Sequence, residues 1–134
     1  MAVNTRFATG VHTLVILALE PSGLLTSDEI AERLNSNPVV IRRVLARLRQ
    51  AGLIASQKGP NGGSKLGKPA KAIGLGQVYR ALEPAPLFKV SPAQDGKLGT
   101  SLERVFAEAR TALEEELDGS TIGQLAKKAA KGRK

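Results

Sequence analysis

Between Pro38 and Gly52 lies the pattern that most limits what this chain can fold into. Ile41, Val44, Leu45 and Leu48 recur at spacings of three, one and three, and Arg42, Arg43, Arg47 and Arg49 are interleaved with no acidic residue. At about 100° per residue the four apolar side chains make one stripe. Val39, Arg42, Arg43, Ala46 and Gln50 take the opposite face, with Arg47 and Arg49 on its shoulders. Pro38 suits a first helical turn, where a missing N–H costs nothing, and Gly52 suits the left-handed residue after the last turn. Such a helix must lay its stripe on other elements, so its neighbours have to supply a core.

The flanking segments do so. Thr5 to Leu19 is apolar on nearly all sides, as a buried helix requires, and Pro21-Ser22-Gly23 ends it with turn residues. Thr26-Ser27-Asp28-Glu29 is a capping box with Leu25 and Ile30 placed for a hydrophobic staple, opening a short helix to Leu34. Asn35-Ser36-Asn37 then joins it tightly to Pro38. Beyond Gly52, Leu53 to Lys58 is extended, Gly59-Pro60-Asn61-Gly62-Gly63 is a turn, and Ser64 to Gly67 returns as a second strand. Helix, tight turn, helix and glycine-tipped hairpin is the order of a winged helix-turn-helix. The predicted fold is therefore mainly α with a small β-hairpin.

A short helix is predicted over Leu75 to Leu82, then a loop with Pro84, Pro86 and Pro92. Thr100-Ser101-Leu102-Glu103 repeats the capping-box pattern and predicts a long helix to about Leu117, followed by a short segment from Thr121 to Ala130. The domain reading is a DNA-binding winged helix-turn-helix over 1–82 and a loop over 83–99. A dimerisation helix with a C-terminal segment covers 100–130, and a basic tail covers 131–134. In the long helix Leu102, Phe106, Ala109, Leu113 and Leu117 recur at four, three, four and four. They could cover the helix's own domain, but a helix beyond a proline-rich loop has little domain to cover. A seam against a second copy is the favoured reading.

Charge narrows the function. The chain of 134 residues carries +8, yet residues 33–80 hold ten basic side chains and no acidic one. Forty-eight residues of one sign inside a folded segment repel one another without a counter-charge, which points to a polyanionic partner. The absence of cysteine removes disulfides, thiolate metal ligation and thiol nucleophiles. Four aromatic residues are too few for a base-stacking platform. The longest aliphatic run, Leu14 to Leu19, falls far short of the about 20 residues of a spanning helix. His12, the single histidine, sits on an apolar helix with no nucleophile or ligand beside it, and is expected in a core or interface. No enzyme, cofactor or metal site is predicted, and the chain is expected to be soluble and cytoplasmic, at the nucleoid.

For a duplex partner the arginine-rich helix fits the major groove. Arg42 and Arg43 are placed to meet guanine edges bidentately, with Arg47 and Arg49 at phosphates. The hairpin tip, with Asn61, Gly62 and Gly63 between Lys58 and Lys65, fits a wing whose small residues let backbone approach a phosphate ridge.

Taken in order, Asp28-Glu29-Ile30-Ala31-Glu32-Arg33, Leu48-Arg49-Gln50-Ala51-Gly52-Leu53-Ile54 and Gly59-Pro60-Asn61-Gly62-Gly63 resemble the Rrf2 family of bacterial winged-helix regulators, the IscR and NsrR type. The resemblance extends to Arg6-Phe7-Ala8 and to Thr121-Ile122-Gly123-Gln124-Leu125. It implies a homodimer held by the long helix and a palindromic DNA operator. By position it assigns base reading to Val39, Arg42 and Arg43, a minor-groove contact to Lys58 and a backbone contact to Arg6. Family members that hold an iron–sulfur cluster do so with three cysteines between the short helix and the long one. Residues 84–99 have none here, and Asn37-Pro38-Val39-Val40 leading into the helix resembles the cysteine-free branch. Where the family commonly has an aromatic after the wing glycines, this chain has Ser64.

The function expected is that of a homodimeric, sequence-specific transcriptional regulator, a repressor, on double-stranded DNA. An unidentified small-molecule effector, or a partner, at the 83–99 junction would switch it; the alternative is a constitutive binder. The rival is a winged-helix interaction module whose basic face takes an acidic protein.

Overall fold

The computed structural model describes residues 5–91 and 96–132. Six helices and one antiparallel hairpin follow in order. They are α1 (Arg6–Leu19), α2 (Ser27–Leu34), α3 (Pro38–Gln50), β1 (Ile54–Gln57), β2 (Gly63–Leu66), α4 (Leu75–Leu82), α5 (Lys97–Asp118) and α6 (Ile122–Lys131). A single 3-10 turn, Ala70–Ala72, links β2 to α4 and has no counterpart in the sequence reading. This is the winged helix-turn-helix, with the hairpin as its wing.

Each boundary has a local cause. Thr26 Oγ1 accepts from the Glu29 N–H at 3.1 Å, and Glu29 Oε1 accepts from the Thr26 N–H at 2.9 Å, which completes the capping box of α2. The Thr26 backbone and side-chain hydrogen bonds, with Arg33 adding, hold the Glu29 carboxyl below the usual glutamate value. Asn35 turns the chain at φ +51, a conformation that asparagine tolerates. Asn37 Oδ1 then accepts the Val39 N–H at 2.7 Å, capping α3 ahead of Pro38. Gly52, at φ +77, ends α3, and the Leu53 N–H donates to the Leu48 carbonyl.

The core lies where α1, α2, α3 and α4 meet under the hairpin. Leu14, Ile30, Ile41, Leu48, Ile73, Leu82 and Ile122 are fully enclosed. Complete burial of one such side chain is worth about 1.5–3 kcal/mol. All four residues of the α3 stripe are among the buried set, so the outer face of α3 is fixed outward by what the inner face covers. Gly10 brings α1 close to α4, because a Cβ there would stand 2.2 Å from Leu82 Cδ1. The hairpin pairs Ile54 with Leu66 through Gln57 with Gly63, and Ser64 exchanges backbone hydrogen bonds with Leu25. A larger residue at Gly63 would meet the Leu25 carbonyl, and Ser64 itself is buried there. The wing root is thus closed by backbone pairing and a small side chain.

Two features of the second half differ from the sequence reading. The long helix starts at Lys97, not at Thr100: the Thr100 N–H donates to the Gly96 carbonyl, so Thr100 sits inside the first turn and caps nothing. The loop accordingly ends at Gly96, and its residues 92–95 lie outside the described residues. The capping box of this region belongs to α6, where Thr121 and Gln124 exchange side-chain and backbone bonds. The α6 helix returns to lie on α1 and the 3-10 turn. His12 is exposed in the single chain and so lies outside its core.

Candidate nucleic-acid interface

The stripe of α3 in the core leaves three rows outside. Val39, Arg43, Ala46 and Gln50 form the central row and are all exposed. Arg42 and Arg49 form the row toward the wing, and Val40 and Arg47 form the row away from it. Arg42, Arg49, Ser27, Gln57, Lys58 and Gly62 line one groove of about 620 Å³ between α3, the N-terminus of α2 and the wing. The structure therefore brings Arg42, Arg49, Lys58, Gly62 and Gly63 together around a single concavity. Asn61 and Lys65 are exposed on the same hairpin, Asn61 at its tip and Lys65 on β2 opposite Ala55.

Partners separate these side chains further. Arg42 Nη1 lies 3.9 Å from Asp28 Oδ1, a loose pair with both side chains largely in solvent. Such a pair contributes little to stability and leaves Arg42 available. Arg43, Arg47, Arg49, Lys58 and Lys65 have no ion-pair partner among the described residues. Arg6 is different. Its guanidinium holds the Glu83 carboxylate at 2.9 Å, at the end of α4, and is not part of the α3–wing groove. Sequence spacing gives no hint of this contact, because the two residues stand 77 positions apart.

The α5 helix is fixed at one end and bare along much of its length. Arg80 reaches Glu114 at 3.0 Å and Asp118 at 3.3 Å, and Arg110 reaches Glu114 at 2.9 Å. Hydrogen bonding from Arg80 first, and from Arg110 second, holds the Glu114 carboxyl below the usual carboxylate value. The Arg110 guanidinium also donates to the carbonyls of Glu83 and Ala85 and lies over the Tyr79 ring, tying α5 to the end of α4. Gly99 is the one buried residue of α5 among those described.

Of the five predicted seam residues, Phe106 turns to its own chain and packs on Phe88 at 5.2 Å between ring centroids. Leu102, Leu113 and Leu117 are half-buried and Ala109 is exposed. A largely exposed stripe that shares Leu102 and Ala109 with the predicted set runs through Leu98, Leu102, Val105, Ala109 and Ala112, at spacings of four, three, four and three, with Leu98 70% and Val105 55% exposed. Four-three alternation is the heptad pattern of helices that meet lengthwise. Leu98 lies ahead of Thr100, where the capping pattern places the helix start, and Val105 lies beside Phe106, so neither falls on the predicted seam.

Beside α5 the loop after α4 borders an open pocket of about 740 Å³, where Pro84, Leu87, Phe88, Val90 and Phe106 meet the charged Arg80, Lys89, Glu103, Arg110 and Glu114. The donors for an iron–sulfur cluster do not fit here. The segment offers no thiol or imidazole, and no group of three potential ligands occurs among the described residues. No helix among the described residues is long and apolar enough to cross a membrane.

Comparison with known proteins agrees with this architecture. The model of the Rrf2 family, described as an iron-dependent transcriptional regulator, matches residues 3–128. YwnA of Bacillus subtilis (strain 168), named as an HTH-type transcriptional regulator, is 31% identical over 127 residues, which is 90% of this chain and 93% of that protein. Among solved structures, the IscR of T. potens superposes with a TM-score of 0.75 at 27% identity, covering 100% of this chain and 92% of its own. CymR (YrzC), the global cysteine regulator of B. subtilis, superposes with a TM-score of 0.71 at 26% identity, covering 95% and 97%.

Proposed function

The chain belongs to the Rrf2 family of transcriptional regulators, and we propose that it works as a homodimeric repressor that occupies a palindromic operator without an iron–sulfur cluster. The observation that carries this reading is the outer surface of α3. Four arginines there stand over a fully buried stripe, and the two on the wing side share a groove with Lys58.

In this reading α3 enters the major groove. Arg42 and Arg43 meet base edges, Arg47 and Arg49 meet phosphates, and Lys58 and Lys65 carry the wing to the flanking minor groove. Repression follows from occupancy of the operator in the cytoplasm, at the nucleoid. The heptad stripe of α5 supplies the twofold seam, since one module of this size gives modest affinity and two read a palindrome. A small-molecule effector would enter the open pocket beside Phe88 and Phe106, where it can shift α5 against α4 and change the separation of the two α3 helices. The absence of cysteine and the lone, distant His12 support a switch other than a cluster.

Salt titration tests the reading. Arg47, Arg49, Lys58 and Lys65 give roughly two to four phosphate contacts per subunit, hence a log–log slope of about −4 to −7 for a dimer on duplex DNA. Arg6 is left out of that count because it is held by Glu83. A slope near zero on duplex DNA, with tight binding to an acidic peptide instead, would transfer the basic face to a protein partner.

A further inference from the structure

We infer that Val39 reads the C5-methyl group of a thymine lying within about two base pairs of the guanine met by Arg43. The inference rests on the major-groove reading of α3, in which the family resemblance already gives Val39 a base to read, and adds which chemical group it meets.

Six large hydrophobic side chains are exposed among the described residues. Leu87 and Phe88 line the pocket beside α5, and Leu98 and Val105 belong to its stripe. The remaining two, Val39 and Val40, open α3 inside the basic block, 46% and 40% exposed. Neither belongs to the core or packs against it among the described residues. Valine is a weaker helix former than the straight-chain residues, and an acidic residue in this first turn would suit the helix dipole, yet α3 has none there. An acidic residue would also oppose phosphates.

Val39 is held in place. Its backbone N–H is taken by Asn37 Oδ1 at 2.7 Å, Pro38 fixes the turn before it, and β-branching leaves one dominant χ1 rotamer in a helix. A stiff pair of methyl groups therefore projects from the central row at the end of a recognition helix that contacts bases first. The major groove offers one apolar group to meet it, the thymine methyl. Val39 and Arg43 stand four residues apart, about 6 Å along the helix at about 1.5 Å per residue. Stacked bases rise about 3.4 Å per step. The methyl and the guanine edge thus belong to base pairs one or two steps apart.

The test uses a duplex recovered by the intact protein from a random pool, resynthesised with each thymine of the half-site replaced singly by uracil. Removing one buried carbon is worth about fourfold in affinity per half-site. Wild type is expected to lose about that factor at one position, within two base pairs of a guanine. Val39→Ala is expected to bind the thymine and uracil duplexes equally, and to match wild type on uracil within about twofold. Val39 is exposed and alanine favours helix, so folding is not at stake. Equal wild-type affinity for both duplexes, or a thymine preference that survives in Val39→Ala, would overturn the inference while leaving operator binding intact. Recovery of no preferred duplex would overturn sequence-specific binding, and this inference with it.

Discussion

The proposed seam along α5 can be probed at a side chain that faces solvent in the single chain. Val105 is 55% exposed in the single chain, and its neighbours in the stripe, Leu98 and Ala109, are exposed as well. A glutamate at position 105 therefore has room in solvent in the single chain. In a dimer it removes roughly half of a valine's burial, about 1 kcal/mol per copy. It also places a carboxylate where water is excluded, at an effective cost of several kcal/mol, or forces the helices to splay and forfeit adjacent contacts. Twice per dimer, the loss is at least about 4 kcal/mol, close to a thousandfold in the dissociation constant. Sedimentation equilibrium in the micromolar range should show Val105→Glu as a helical monomer with strongly reduced affinity for a palindromic duplex. Thr111→Glu, on the same helix but away from the stripe, should remain dimeric. A Val105→Glu protein that is as dimeric as wild type would place the interface elsewhere and refute the heptad argument.

Gly10→Val should overfill the α1–α4 crossing against Leu82 and lower stability by about 1–3 kcal/mol, read as a fall in Tm and in denaturation midpoint. Thr26→Ala removes the cap of α2 and should cost about 1 kcal/mol, measured in the same way. The folded-state pKa of Glu29 is depressed, so its carboxylate contributes stability above the ordinary glutamate value and loses it as pH falls through the depressed one. Glu29→Gln should flatten that acid limb, and an unchanged acid limb would show that the cap does not titrate. Binding to duplex DNA should be indifferent to peroxide, nitric oxide and thiol reductants, since there is no thiol to oxidise or ligate iron, and a purified protein with a visible iron–sulfide band would contradict this.

Much of the first eighty residues was legible because local signals and the core pattern agree. Thr26 with Glu29, Pro38, Gly52 and the Gly59–Gly63 turn each act within a few residues, and the α3 stripe fixes which arginines face outward. The second half was harder for the same reason in reverse. Gly96 at φ +108 starts α5 with no side-chain cap, so no residue type marks the boundary, while Thr100-Ser101-Leu102-Glu103 imitates a cap inside the helix. Thr121 and Gln124 did carry a capping signal, and it went unread. Arg6–Glu83 and Phe88–Phe106 are decided by tertiary packing between distant segments, which spacing does not encode. The heptad stripe became visible only once the helix start and the inward turn of Phe106 were known.

The central claim is that α3 reads guanine edges from the major groove with Arg43 on its central row. Methylation of guanine N7 with dimethyl sulfate blocks the acceptor that a bidentate arginine needs. Interference should be mapped on a duplex selected by the protein, comparing wild type with Arg43→Ala. The account predicts one strongly interfering guanine in each half-site, the two about one helical turn apart or a multiple of it. That signal should disappear in Arg43→Ala, with binding to the selected duplex weakened by about 1–3 kcal/mol per half-site and nonspecific binding retained. Interference that is absent, or that persists unchanged in Arg43→Ala, would contradict it.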